Sequence, residues 1–113
     1  MTADRGSPPP DGEVGDLPRF ALLVLAAVAQ VPAGAVVTYG DVAELVGEGG
    51  PRQVGAVLSR YGSQVPWWRV LRADGTAAPQ VRDRAVAAWR REGTALRPDG
   101  ERVDLRRARW DGT

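Results

Sequence analysis

The chain has 113 residues, 43% of them hydrophobic and 26% charged, a balance that fits one globular domain with a modest core and points away from wholesale disorder or a membrane protein. It has no cysteine, no histidine and, since all 15 basic residues are arginine, no lysine, which excludes disulfides, thiolate or imidazole catalysis, the usual zinc sites and a serine–lysine pair. The net charge of +1 hides a division: residues 1–50 hold two arginines against seven acids (−5), residues 51–113 thirteen against seven (+6). A gene rich in G and C accounts for abundant arginine but not for its segregation, so the second half reads as a surface for a polyanion.

Residues 1–16, with Pro8, Pro9 and Pro10 and almost no large apolar side chain, are expected to form a disordered acidic tail ahead of a single domain at 17–113. They lack a basic start followed by an apolar stretch, so no secretory signal and a cytoplasmic address are expected. The longest apolar run, Phe20 to Ala29, is ten residues, too few to span a bilayer. Asp16 is placed to cap a helix with Pro18 in its first turn and Phe20, Leu23, Val24, Ala27 and Val28 at helical spacing. Val36 and Val37 suit a short strand. Thr38 followed by Asp41 resembles a capping box for a helix from Gly40 to Val46, which Gly47 ends. After a glycine-rich link, Pro51 opens a helix with Val54, Val57, Leu58 and Tyr61 on one side. The pair predicts a helix-turn-helix. WWRVLRADGT reads as strand, Asp74-Gly75 turn and second strand, which would make a wing. A further helix is predicted over Val81 to Glu92, then a turn at Asp99-Gly100 and a short strand from Arg102 to Leu105. The fold class expected is mainly α with a small β wing, a winged helix-turn-helix.

The outward side of the 51–61 helix carries Arg52, Gly55, Ala56 and Ser59, with Arg60 near its end. A solvated helix face normally bears long polar side chains, and a mid-helix glycine costs about 1 kcal/mol relative to alanine. Two readings stay open: Gly55 packs against another helix, or a partner such as DNA comes close to the backbone there, with Arg52 directed toward phosphate. Trp67 and Trp68, adjacent in VPWWRV, would point to opposite sides of a strand, so at most one lies wholly in the core. Taken alone, that pair fits a structural role for both.

The runs VPAGAVVTYGDVAELVG, PRQVGAVLSR and VPWWRVLRADGT together resemble the DNA-binding domain of O6-alkylguanine-DNA alkyltransferases, whose pattern is a TYG-type turn, an arginine with a following VG, and a PCHRV active-site motif. The likeness runs from about Phe20 to Gly93, and the late ERVDLRRARW is similar to the end of the alkyltransferase-like branch, in which PCHRV becomes PWHRV. By that resemblance Trp67 stands where the alkyl-accepting cysteine stands, and Trp68 where the histidine does. Neither can make a thiolate, so a non-enzymatic protein without cofactor or metal is implied. The family rotates damaged guanine out of the duplex from the minor-groove side. Carried onto this chain, Arg52 fills the vacated space and Tyr39 crowds the 3′ phosphate. Thr38, Gly40, Gln53, Gly55, Ala56 and Ser59 complete the implied DNA contacts, the small residues letting the helix enter the groove. Tyr39, Val65, Pro66, Trp67, Trp68 and Arg69 make the implied lesion pocket, Arg69 chiefly holding the fold together. Ala77, Ala78 and Pro79 replace the family's glycine-rich active-site loop, which implies a more open pocket. The branch senses its lesion with an arginine after the wing. Gln80 falls near that register, and Arg82 or Arg84 fits only if the alignment shifts, so the sequence leaves the residue open.

The function implied is a monomeric sensor that binds O6-alkylguanine in duplex DNA and marks it for nucleotide excision repair proteins. The alternative is a winged-helix transcriptional regulator reading undamaged operator DNA through the major groove. Against it, the small residues on the recognition helix offer few hydrogen bonds to base edges. An enzyme built on paired carboxylates is a third class, but no acidic spacing singles out a pair.

Overall fold

A computed structural model describes residues 17–113; the expected tail at 1–16 and the Asp16 cap lie outside it. Helix α1 spans Arg19–Ala29, strand β1 Val37–Thr38, α2 Tyr39–Val46, α3 Pro51–Tyr61, β2 Val70–Leu71, α4 Arg82–Glu92 and the short α5 Leu105–Ala108. Among the described residues no helix is long and apolar enough to cross a membrane.

Local chemistry fixes the helix-turn-helix. The Thr38 hydroxyl accepts from the Asp41 N–H at 3.0 Å and the Asp41 carboxylate accepts from the Thr38 N–H at 3.0 Å, a reciprocal cap that starts α2 one residue earlier than the sequence suggested. Gly47 ends α2 in the left-handed conformation at φ 86°, which a side chain would resist. Pro51 occupies the first turn of α3, where its missing N–H costs nothing. Val24, Val28, Val42 and Val54, each 0% exposed, join α1, α2 and α3. Each such burial contributes about 1.5–3 kcal/mol.

The two strands pair in parallel, Val37 with Val70 and Thr38 with Leu71. Because side chains alternate across a strand, Val37 and Val70 enter the three-helix core, while Val36 and Leu71 enter a second cluster around Trp89 of α4. The small sheet is therefore the seam between two apolar clusters.

Four expectations are corrected. The stretch from Trp67 is not a strand: Trp67–Arg69 form a 3-10 turn, and extended backbone begins at Val70. The Asp74-Gly75 turn does form, with the Gly75 N–H donating to Arg72 C=O at 2.9 Å, yet no second wing strand follows. Gly75 instead docks on the late chain, its carbonyl accepting from the Val103 N–H at 2.9 Å, and a Cβ there would lie 2.6 Å from the Val103 oxygen. The wing is thus a loop held from its far side. Residues Arg102 to Leu105 are not a strand either: a lone bridge joins Val103 to Leu96, and Leu105 already opens α5. Finally, Pro79–Val81 form a 3-10 turn, so α4 begins at Arg82.

Candidate nucleic-acid interface

The start of α2, the length of α3 and the turn after Pro66 surround a cavity of about 670 Å³, in the size range of small-molecule pockets. Tyr39 of α2, Arg52, Gly55, Leu58 and Ser59 of α3, then Gly62, Trp67, Arg72, Gln80 and Arg84 are among the residues that line it. The sequence-derived residues Tyr39, Arg52, Gly55, Ser59 and Trp67 thus meet in one place. Tyr39 is half-buried, and burial pushes its phenol above the ordinary tyrosine range against the pull of nearby Arg72, so it stays a neutral hydrogen-bond donor. Arg52, Ala56 and Ser59 are exposed along α3. Gly55 is not tightly packed: among the described residues the nearest atom to a Cβ built there is Cε1 of Tyr39, at the start of α2, at 3.9 Å, an ordinary contact. Packing against α2 therefore leaves room for a side chain and does not by itself require a glycine here.

Other predicted residues sit outside the cavity lining. Thr38 is buried in the α2 cap, and Gly40 lies beside the Pro51 ring. The Gln53 side-chain oxygen accepts from the Gly50 N–H at 3.0 Å, so that group helps start α3. Val65 packs on the three-helix core, and Pro66 leads into the 3-10 turn, its carbonyl accepting from the Arg69 N–H at 3.0 Å.

Trp68 and Arg69 face the other way, onto Glu92. The Trp68 indole N–H donates to Glu92 Oε2 at 3.0 Å; Arg69 Nε donates to Glu92 Oε1 at 3.0 Å and its Nη1 to the Val31 carbonyl at 2.8 Å. Arg69 and Glu92 side chains are only 16% and 12% exposed, and the arginine holds the Glu92 carboxyl below the usual carboxylate range. The Trp89 indole N–H also donates to the Trp68 carbonyl, at 2.6 Å. This network fixes the turn so that the Trp67 ring, edge-on to Trp68 with centroids 5.6 Å apart, reaches the cavity. On the same wall the Arg84 guanidinium lies 5.3 Å from the Trp67 ring centroid.

The sequence reading missed Glu92, Leu58, Gly62, Ser63 and Arg72, and it left Arg84 undecided. For Glu92 a faint signal existed, an acid near the inward side of α4. It also missed Arg109, which makes two hydrogen bonds to Asp41, at 2.9 and 2.7 Å, and so ties the late chain to the first turn of α2.

The family model for the DNA-binding domain of 6-O-methylguanine DNA methyltransferases matches residues 19–96. In the same sense, a solved structure of S. pombe Atl1 in complex with damaged DNA containing O6-carboxymethylguanine superimposes with a TM-score of 0.69 at 31% identity, covering 80% of this chain and 94% of that one. The chain belongs to the alkyltransferase-like proteins of this family. Among sequence relatives, the DNA base-flipping protein of Escherichia coli K12 is 44% identical over 89 residues, covering 74% of this chain and 68% of its own. The DNA base-flipping protein of Vibrio parahaemolyticus is 33% identical over 97 residues, covering 81% and 96%. The sequence contains neither cysteine nor histidine, and so offers no thiolate and no imidazole.

Proposed function

We propose that this protein detects O6-alkylguanine in duplex DNA by rotating the modified nucleotide through the minor groove into the Trp67 cavity. It holds the base there without removing the alkyl group, and the persistent complex marks the site for nucleotide excision repair. The observation that carries the reading is an aromatic-walled cavity opening beside a helix face made of Arg52, Gly55, Ala56 and Ser59.

Each part has an energetic role. Flipping costs a few kcal/mol, less where an O6 substituent has already weakened pairing, and that difference favours damaged over intact guanine. Stacking on an aromatic ring returns about 1–3 kcal/mol per base, which Trp67 supplies. Arg52, exposed in the first turn of α3, is positioned to enter the duplex where the base has left. Gly55 and Ala56 keep the helix surface low enough for the narrow groove. An indole is a poor nucleophile beside a thiolate, so the bound adduct survives.

Titration against matched duplexes carrying guanine or O6-methylguanine at one salt concentration tests this. At least tenfold tighter binding of the modified duplex is expected; equal affinities refute damage recognition. The marking step is tested separately by whether an excision nuclease cuts the modified duplex faster when the protein is present, and an unchanged rate refutes that step.

A further inference from the structure

Arg52, Arg72 and Arg84 line the cavity, and among the described residues no acidic side chain does. Among the described residues four other arginines are ion-paired, Arg19 with Glu48, Arg69 with Glu92, Arg102 with Asp99 and Arg109 with Asp41. Among the described residues, the side chains of Arg72 and Arg84 make no ion pair and no hydrogen bond, so their donors are available. The two stand at defined places. Arg84 lies over the Trp67 ring at 5.3 Å, while Arg72 is near enough to the Tyr39 phenol to influence its ionisation. A base stacked on the indole would therefore come within reach of Arg84, with its substituent in the space that Arg72 also borders.

We infer that this cavity selects O6 adducts ending in an anionic group, the carboxyalkyl class, over neutral adducts of the same size, with Arg84 the principal carboxylate partner and Arg72 a second. The inference rests on the reading that the flipped base occupies this cavity. A guanidinium presents a planar fork of donors that matches a carboxylate in two parallel hydrogen bonds, and such charge-assisted bonds are about twice as strong as neutral ones. A carboxamide of the same shape carries no charge and offers the fork only one oxygen. With the site partly open to water, a preference of about tenfold is expected, at the low end for hydrogen bonds to charged groups.

The test uses the full chain and four otherwise matched duplexes, containing guanine, O6-methylguanine, O6-carboxymethylguanine or its amide, O6-carbamoylmethylguanine. Wild type should bind the acid about tenfold more tightly than the amide, the ratio shrinking as salt rises. Arg84→Gln should weaken the acid duplex more than the amide duplex and so bring that ratio below about twofold, and Arg84→Lys should give an intermediate ratio. Arg84 is exposed, so folding is expected to survive and is checked by thermal unfolding. Equal binding of acid and amide, both tighter than guanine, overturns charge selection and leaves damage recognition standing. If all three adducts bind no better than guanine, the flipping reading fails and takes the inference with it. If Arg84→Gln weakens all four duplexes equally, the arginine contacts phosphate instead, and the inference is overturned.

Discussion

Replacing Gly55 with alanine should raise the stability of the free protein and lower its affinity for DNA. Gly55 is the fifth residue of α3, inside the helix, where glycine costs about 1 kcal/mol relative to alanine. Among the described residues nothing opposes a methyl group there, since the nearest neighbour of the added carbon is Tyr39 Cε1 at 3.9 Å, an ordinary contact. The full propensity gain of about 1 kcal/mol should therefore appear, raising the melting temperature by about 4–8 °C for a domain of this size. In the complex the same carbon pushes the helix surface outward by about 1.5 Å, one carbon–carbon bond, at the mouth of the cavity. A loss of at least tenfold in duplex affinity, about 1.4 kcal/mol, is expected. Thermal unfolding and a duplex titration on the same preparation read both effects. A variant that is more stable and binds as well as wild type would refute the close approach of DNA to this face. A less stable variant would refute the packing argument.

Arg52→Ala should weaken binding to an O6-methylguanine duplex by tenfold or more in a titration, with unchanged thermal unfolding, because the side chain is exposed. Trp67→Ala, read by the same titration, should reduce the ratio of modified to unmodified affinity more than it reduces affinity for the unmodified duplex, since about 1–3 kcal/mol of stacking is lost only when the base is flipped. Glu92→Gln leaves the largely buried Arg69 guanidinium without its counter-charge, and denaturant unfolding should register a loss of about 3 kcal/mol. Acid should act through the same groups. Asp41, held low chiefly by its hydrogen bonds to Arg109, and Glu92, held low chiefly by Arg69, have folded pKa values below their unfolded ones. Their contribution is therefore complete above the unfolded carboxylate range of about 4 and is lost as pH falls through the depressed folded values. Stability measured from pH 7 downward should stay level to about pH 5 and then decline, less steeply in Glu92→Gln. A rise in stability toward acid would contradict these pairings.

What the sequence disclosed follows the range of the interactions involved. The cap of Thr38 and Asp41, the glycine ending α2 and the proline opening α3 act over three or four residues, so the helix-turn-helix was legible residue by residue. The pairing of β1 with β2 was not. Val37 and Val70 lie 33 residues apart and pair in parallel, whereas the Asp74-Gly75 signal favoured a local hairpin. That turn exists, but the contact of Gly75 with Val103 takes the place of a strand partner. Tyr39, Arg52, Gly55 and Trp67 were identified from motif resemblance and do share a cavity. Arg72 was not named and Arg84 was left undecided beside Gln80 and Arg82, because which arginine of a basic segment faces the cavity depends on how α4 docks, and Trp89 sets that docking through the second apolar cluster. The outlying position of Trp68 had the same origin: its partner Glu92 is 24 residues away.

The central claim, an extrahelical base seated against Trp67, is tested most directly by a fluorescent base analogue that brightens when unstacked, such as 2-aminopurine, placed opposite O6-methylguanine. Saturating protein should raise its emission severalfold, and Arg52→Ala at saturation should largely abolish the rise. Emission that stays at the level of free duplex while wild-type protein is fully bound would show the modified pair still stacked and would contradict the account.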